Sequence, residues 1–137
     1  MDEKYRFLFV DDSELDNSYV EMMIRIEGLP IDPLFIRDAR LALEYLANVE
    51  EQAFPQILVV DINMPLMDGF EFVQRYEELY CAKFPQSKVY MTSSTRRMSE
   101  ISRAKQVQIV EDFIEKPISP LFISEKVFPM ILLNKID

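Results

Sequence analysis

The chain has 137 residues, 24 acids against 15 bases for a net charge of −9, a 49% hydrophobic content, one cysteine and no histidine. That length suits one compact domain with a real core, and the acidic balance argues against broad nucleic-acid binding. Cys81 alone cannot form an internal disulfide, and the missing histidine removes His-based acid–base catalysis, most zinc sites and a phosphohistidine-carrier role.

The N-terminal MDEKYRF is charged and lacks the apolar core of a signal peptide. Tyr5–Val10 then reads as a mostly apolar strand running into Asp11 and Asp12. Ser13 can cap a first helix with Leu15, Tyr19, Met22, Met23 and Ile26 on its inner face and Gly28 as its stop. Pro30 and Pro33 punctuate a loop before a brief strand at Leu34–Ile36. Asp38 opens a second helix with Ala42, Tyr45, Leu46 and Val49 inward.

Ile57–Asp61 is the third strand, apolar until its last residue. A third helix carries Phe72, Tyr76, Leu79 and Tyr80 inward. Lys88–Thr92 is the fourth strand, with a short helix following near Met98–Val107. Val110–Ile114 is the fifth, and Ser119–Pro120 starts a last helix as N-cap and first-turn proline. Pro129 is expected to break that helix about ten residues in. Met130–Leu133 is apolar all round, so it packs on its own core or on a second chain, which leaves a weak homodimer open. No run reaches the roughly 20 apolar residues a membrane span needs, so we expect a soluble cytoplasmic protein.

Strands alternating with helices predict a doubly wound parallel sheet over residues 1–137. Ligands of such sheets bind beyond the carboxyl ends of the strands. Those ends carry Asp11 and Asp12, Asp61, Thr92 and Ser93, with Lys116–Pro117 following the fifth strand. Any one of them is ordinary cap or turn chemistry; together they form a constellation of acids, a hydroxyl and a lysine.

The segments FLFVDD, VVDINMPLMDG, VYMTSS and DFIEKPI, in that order, resemble the receiver domain of response regulators along nearly the whole chain. The resemblance implies a flavodoxin-like sheet of order 2-1-3-4-5 with five helices, and a phosphoacceptor aspartate at Asp61. It implies Mg²⁺ (or Mn²⁺) held by Asp12, Asp61 and the backbone carbonyl of Asn63, with Asp11 acting through water. Oxygen donors of this kind suit that ion. Lys116 is the expected phosphoryl partner, preceding a cis bond to Pro117. Thr92 is the expected hydroxyl, with Ser93 as the alternative under a one-residue slip. Phe113 is the aromatic switch or else an ordinary core residue. Asn63 and Ser94 would flank the phosphoryl group and tune its lifetime.

The same resemblance implies a histidine kinase or histidine phosphotransfer protein as donor, docking on the first helix. It implies a downstream protein target on the face formed by the fourth helix, fifth strand and fifth helix. Arg96, Arg97, Arg103 and Lys105 cluster there, as a solvated face or as a patch for an acidic partner. A haloacid-dehalogenase-type phosphohydrolase is the rival reading, but it needs a second acid where this chain has Asn63. A silent receiver serving only as an interaction module is the third. Too few residues follow Lys116 to expect an output domain.

Overall fold

The computed structural model describes residues 3–136, with side chains as far as residue 132. Its centre is β3 (Ile57–Asp61), in which every residue is buried. A strand covered on both faces must be apolar on both, and Ile57, Leu58, Val59 and Val60 meet that demand. Each such side chain contributes about 1.5–3 kcal/mol on burial. β1 (Tyr5–Val10), β2 (Ile31–Ile36), β4 (Lys88–Ser93) and β5 (Val110–Glu115) complete a five-stranded parallel sheet of order β2-β1-β3-β4-β5. The expected strand order is the one observed.

Alternation along the strands sends side chains into two layers. Phe7, Phe9, Val59, Tyr90 and Ile114 pack against α1 (Glu14–Glu27) and the last helix. Leu8, Val10, Leu58, Val60, Met91 and Phe113 pack on the opposite side, with α2 (Ala39–Asn48), α3 (Gly69–Tyr80) and α4 (Met98–Gln106). Ser13 and Asp38 cap α1 and α2 as expected, accepting from the Asp16 amide and from Arg40 and Leu41, and Asp68 caps α3 by accepting from Glu71. Gly28 ends α1 in the left-handed region at φ 65°.

Four local expectations are corrected. β2 begins at Ile31, not Leu34, and contains Pro33; an edge strand can carry a proline because one of its sides makes no ladder bonds. The inner face of α1 consists of Asn17, Val20, Met23 and Ile24. Leu15 and Ile26, 81% and 71% exposed, face outward with Tyr19 and Met22. In α3, Leu79 is 58% exposed rather than inward.

Finally, Pro129 does not break the last helix. Helix α5 (Pro120–Phe122) passes through a π turn (Ile123–Val127) into α6 (Phe128–Ile136), with helical backbone at both junctions. The Phe128 amide donates to the Ile123 carbonyl, a five-residue reach. This wider turn sits directly before the proline, whose ring would crowd the carbonyl four residues back in a regular helix. Ile131 is 5% exposed within the α1-side core, so the apolar segment packs on its own domain through that residue.

Candidate functional site

The sheet brings Asp11, Asp61 and Lys116 together at its carboxyl edge. Asp61 ends β3, and the chain must then turn back over the sheet to start α3. Ile62, Met64 and Met67 are buried in the α3-side core and pin this loop from beneath. The Gly69 amide donates to the Ile62 carbonyl at 2.9 Å. A Cβ at Gly69 would overlap the Asp61 carbonyl oxygen, so only glycine lets α3 start this close to β3. Leu66, at the tip of the loop, holds φ 72° and is 78% exposed.

Lys116 is 11% exposed at its side chain and lies among carboxylates. Its Nζ is 2.7 Å from Asp11 Oδ2, 2.8 Å from Asp16 Oδ2 and 3.4 Å from Asp61 Oδ2. Burial works against its charge, but the hydrogen bonds it donates to Asp11 and Asp16 and the charges of Asp61 and Asp11 prevail and raise its pKa. Its amide donates to the Ser93 carbonyl at 3.1 Å, tying β5 to β4 at the site, and the Lys116–Pro117 bond is cis.

Asp11 is fastened on every side. Its Oδ1 accepts from the Ser13 amide at 2.9 Å and its carbonyl from the buried Asn17 side chain at 3.0 Å. Asp12 is half-buried, and its carbonyl lies 3.4 Å from the Arg37 guanidinium. Asp11, Asp12 and Asp61 each offer a carboxylate oxygen within 4.8 Å of the others. Asp61 is 5% exposed, and its pKa is pushed up to about 7, first by burial and next by the Asp11 charge, with Lys116 opposing. A buried carboxylate repelled in this way calls for a cation, and an all-oxygen donor set fits Mg²⁺ or Mn²⁺.

The two hydroxyls part company. Thr92 lies in register with Asp61, but its Oγ1 donates to the Ile114 carbonyl at 2.6 Å, buried inside the sheet edge. Ser93 Oγ instead accepts from the Asn63 side-chain amide at 3.3 Å and from the Thr95 amide at 3.0 Å. The Asn63 backbone amide in turn lies 3.3 Å from Asp61 Oδ1. Met91 and Phe113 are register partners on the α4 side, and alternation puts Ser93 on that same side. Phe113 is 9% exposed. Ser94 is exposed and lines a cleft of about 530 Å³ with Asp16, Lys116, Leu15 and Tyr19.

The response regulator receiver domain model matches residues 7–128. The chain belongs to the receiver domain family. It is 29% identical over 118 residues to the two-component response regulator ARR6 of Arabidopsis thaliana, covering 81% of this chain and 61% of the relative. It is 33% identical over 119 residues to a protein-glutamate methylesterase/protein-glutamine glutaminase of Methylobacillus flagellatus, covering 82% of this chain and 29% of that protein. It therefore spans less than two-thirds of the length of these relatives. A response regulator from Cytophaga hutchinsonii superimposes with TM-score 0.86 at 20% identity, covering 96% of this chain and 98% of the other. A receiver protein from Dyadobacter fermentans gives 0.80 at 25%, covering 92% and 97%.

Receiver domains are phosphoacceptor modules of two-component signalling, interact with histidine kinases or phosphotransfer proteins, and generally bind Mg²⁺ at an acidic pocket. Among the described helices of this receiver, none is long and apolar enough to cross a membrane. Sequence reasoning missed Asp16. Its only signal is an acid in the first turn of a helix beginning at the site, a place acids occupy for the helix dipole alone.

Proposed function

We propose that this receiver domain accepts a phosphoryl group on Asp61 from a phosphohistidine donor in a Mg²⁺- or Mn²⁺-dependent step, and that the modified site alters a partner-binding face. The observation that carries the reading is the contact of Lys116 with Asp61 and Asp11 at the edge where Asp12 also lies.

In this reading Asp12, Asp61 and the Asn63 carbonyl would hold the ion, and Asp11 would act through water. The ion supplies charge neutralisation for the phosphoryl oxygens. An Asp61 carboxylate oxygen bonds to phosphorus while the phosphorus–nitrogen bond breaks, and its electron pair leaves with the donor imidazole. Lys116 neutralises the phosphoryl charge that replaces the single charge of Asp61; a compact ammonium on a flexible stem can follow those oxygens.

For the hydroxyl, Ser93 fits better than Thr92. Thr92 is committed to Ile114, whereas Ser93 is linked through Asn63 to Asp61 and shares a sheet face with Phe113. With Ser93 in that role, Thr95 rather than Ser94 stands two residues on and joins Asn63 in tuning phosphoryl lifetime. The donor docks on α1, where Leu15, Tyr19, Met22 and Ile26 are exposed beside the cleft. The downstream protein takes the α4–β5–α5 face. The domain works in the cytoplasm, where such donors act.

Incubation with a small phosphodonor and Mg²⁺, followed by intact-mass measurement, tests this. One phosphate that appears, decays and is lost in Asp61→Asn supports it. Continuous turnover would favour the phosphohydrolase, and no adduct would favour the silent module.

A further inference from the structure

We propose that Asp16 is a positioning residue that competes with the phosphoryl group on Asp61 for Lys116, and so restrains the phosphorylated state. The inference rests on the phosphoacceptor reading of Asp61. Of the three carboxylates on Lys116, the phosphoacceptor is the most distant, at 3.4 Å, while Asp11 and Asp16 stand at 2.7 and 2.8 Å. At rest, the lysine is drawn towards α1 and away from the group that reacts.

Asp11 and Asp16 differ in what they can release. Asp11 is 8% exposed at its side chain, with the Ser13 amide on its Oδ1 and the buried Asn17 amide on its backbone carbonyl, so little bulk water can take the place of the lysine at its Oδ2. Asp16 is 41% exposed and sits in the first turn of α1. Water and the helix N-terminus can hold its charge when the lysine leaves. Asp16 is the ligand of Lys116 that can be exchanged at least cost.

Asp11, Asp12, Asp16 and Asp61 carry −4 when ionised, and Lys116 with a divalent ion carries +3. A phosphoryl group adds roughly one further negative charge to Asp61. Asp16 therefore both occupies the lysine and repels the phosphoryl oxygens. Its removal favours the modified state. On modification Lys116 moves from Asp16 to the phosphoryl group, and the Asp16 carboxylate is left free at the base of the exposed α1 stripe.

The test is beryllofluoride binding, a trigonal stand-in for a phosphoryl group, titrated at saturating Mg²⁺ and followed by amide chemical shifts. Asp16→Asn and Asp16→Ala are expected to bind it about threefold more tightly than the parent, the scale of one partly exposed ion pair. Asp16→Glu, which retains the charge, is expected to return towards the parent. Unchanged or weaker binding in the two neutral variants, with melting temperature preserved, overturns the proposal. Looser binding with a lower melting temperature, the mark of a purely structural acid in the first turn of α1, also overturns the proposal. Failure of the parent itself to bind beryllofluoride overturns the phosphoacceptor reading, and this inference with it.

Discussion

Asn63 joins Asp61 to Ser93: its backbone amide lies 3.3 Å from Asp61 Oδ1, and its side-chain amide donates to Ser93 Oγ at 3.3 Å. One residue therefore touches both the acid and the hydroxyl across the gap between β3 and β4. Thr92, its chain neighbour, is held by Ile114 and contributes to the sheet instead.

The two hydroxyls should separate on substitution. Ser93→Ala takes the acceptor from the Asn63 and Thr95 amides and is expected to cost about 1 kcal/mol while weakening the response of Phe113 resonances to phosphorylation. Thr92→Ala removes a buried hydrogen bond and is expected to cost about 1–2 kcal/mol in urea unfolding. If Thr92→Ala instead abolishes the response at full stability, the assignment of Ser93 is wrong.

Asp61 sets a pH dependence in the metal-free protein. Its folded pKa of about 7 stands above the ordinary 3.8, so between these values the folded chain binds a proton that the unfolded chain has lost. Its contribution to stability is present below pH about 4 and lost as pH rises through about 7. Asp61→Asn should then be more stable than the parent at pH 8, on the order of 2–4 kcal/mol, with the gap closing towards pH 4. Saturating Mg²⁺ should narrow the gap at pH 8. Equal gaps at both pH values would show that the site does not perturb this acid.

Gly69→Ala tests the close approach of α3 to β3. The added methyl collides with backbone, which cannot rotate away as a side chain can. A loss of about 2–3 kcal/mol is expected, with displaced amide resonances from Asp61 to Phe72. A loss below about 0.5 kcal/mol would mean that α3 slides without cost.

Leu66 holds a left-handed backbone conformation that a branched side chain disfavours. Leu66→Asn is expected to raise stability by about 0.5–1 kcal/mol, since asparagine tolerates that region. A lower melting temperature would contradict the assignment of strain here.

The sheet was legible because Ile57–Val60 leaves no polar face, and because each acid, hydroxyl or lysine falls where an apolar run stops. The inner face of α1 was not. Leu15, Tyr19, Met22 and Ile26 form a stripe as regular as the true one, and the buried Asn17 disguises the latter as polar. Asn17 is inside because it satisfies the Asp11 carbonyl, a reason invisible to hydropathy. The full length of β2 was hidden by Pro33, which reads as a loop unless the strand is known to be an edge. The choice between Thr92 and Ser93 depended on which layer each faces. Tyr90 in the α1 layer and Met91 in the α4 layer fix that parity, but only once the layers are known.

The chain contains two glycines, and both are immobilised: Gly28 closes α1, and Gly69 is wedged against the end of β3. None remains in residues 94–97 or 116–119, the connections that follow β4 and β5 on the site edge. Those connections therefore lack the residue with the widest backbone freedom. On the proposed reading, output would run through exchanged partners and a turned Phe113 ring rather than through a glycine hinge. Amide hydrogen exchange should accordingly change at a few neighbouring positions rather than across whole elements.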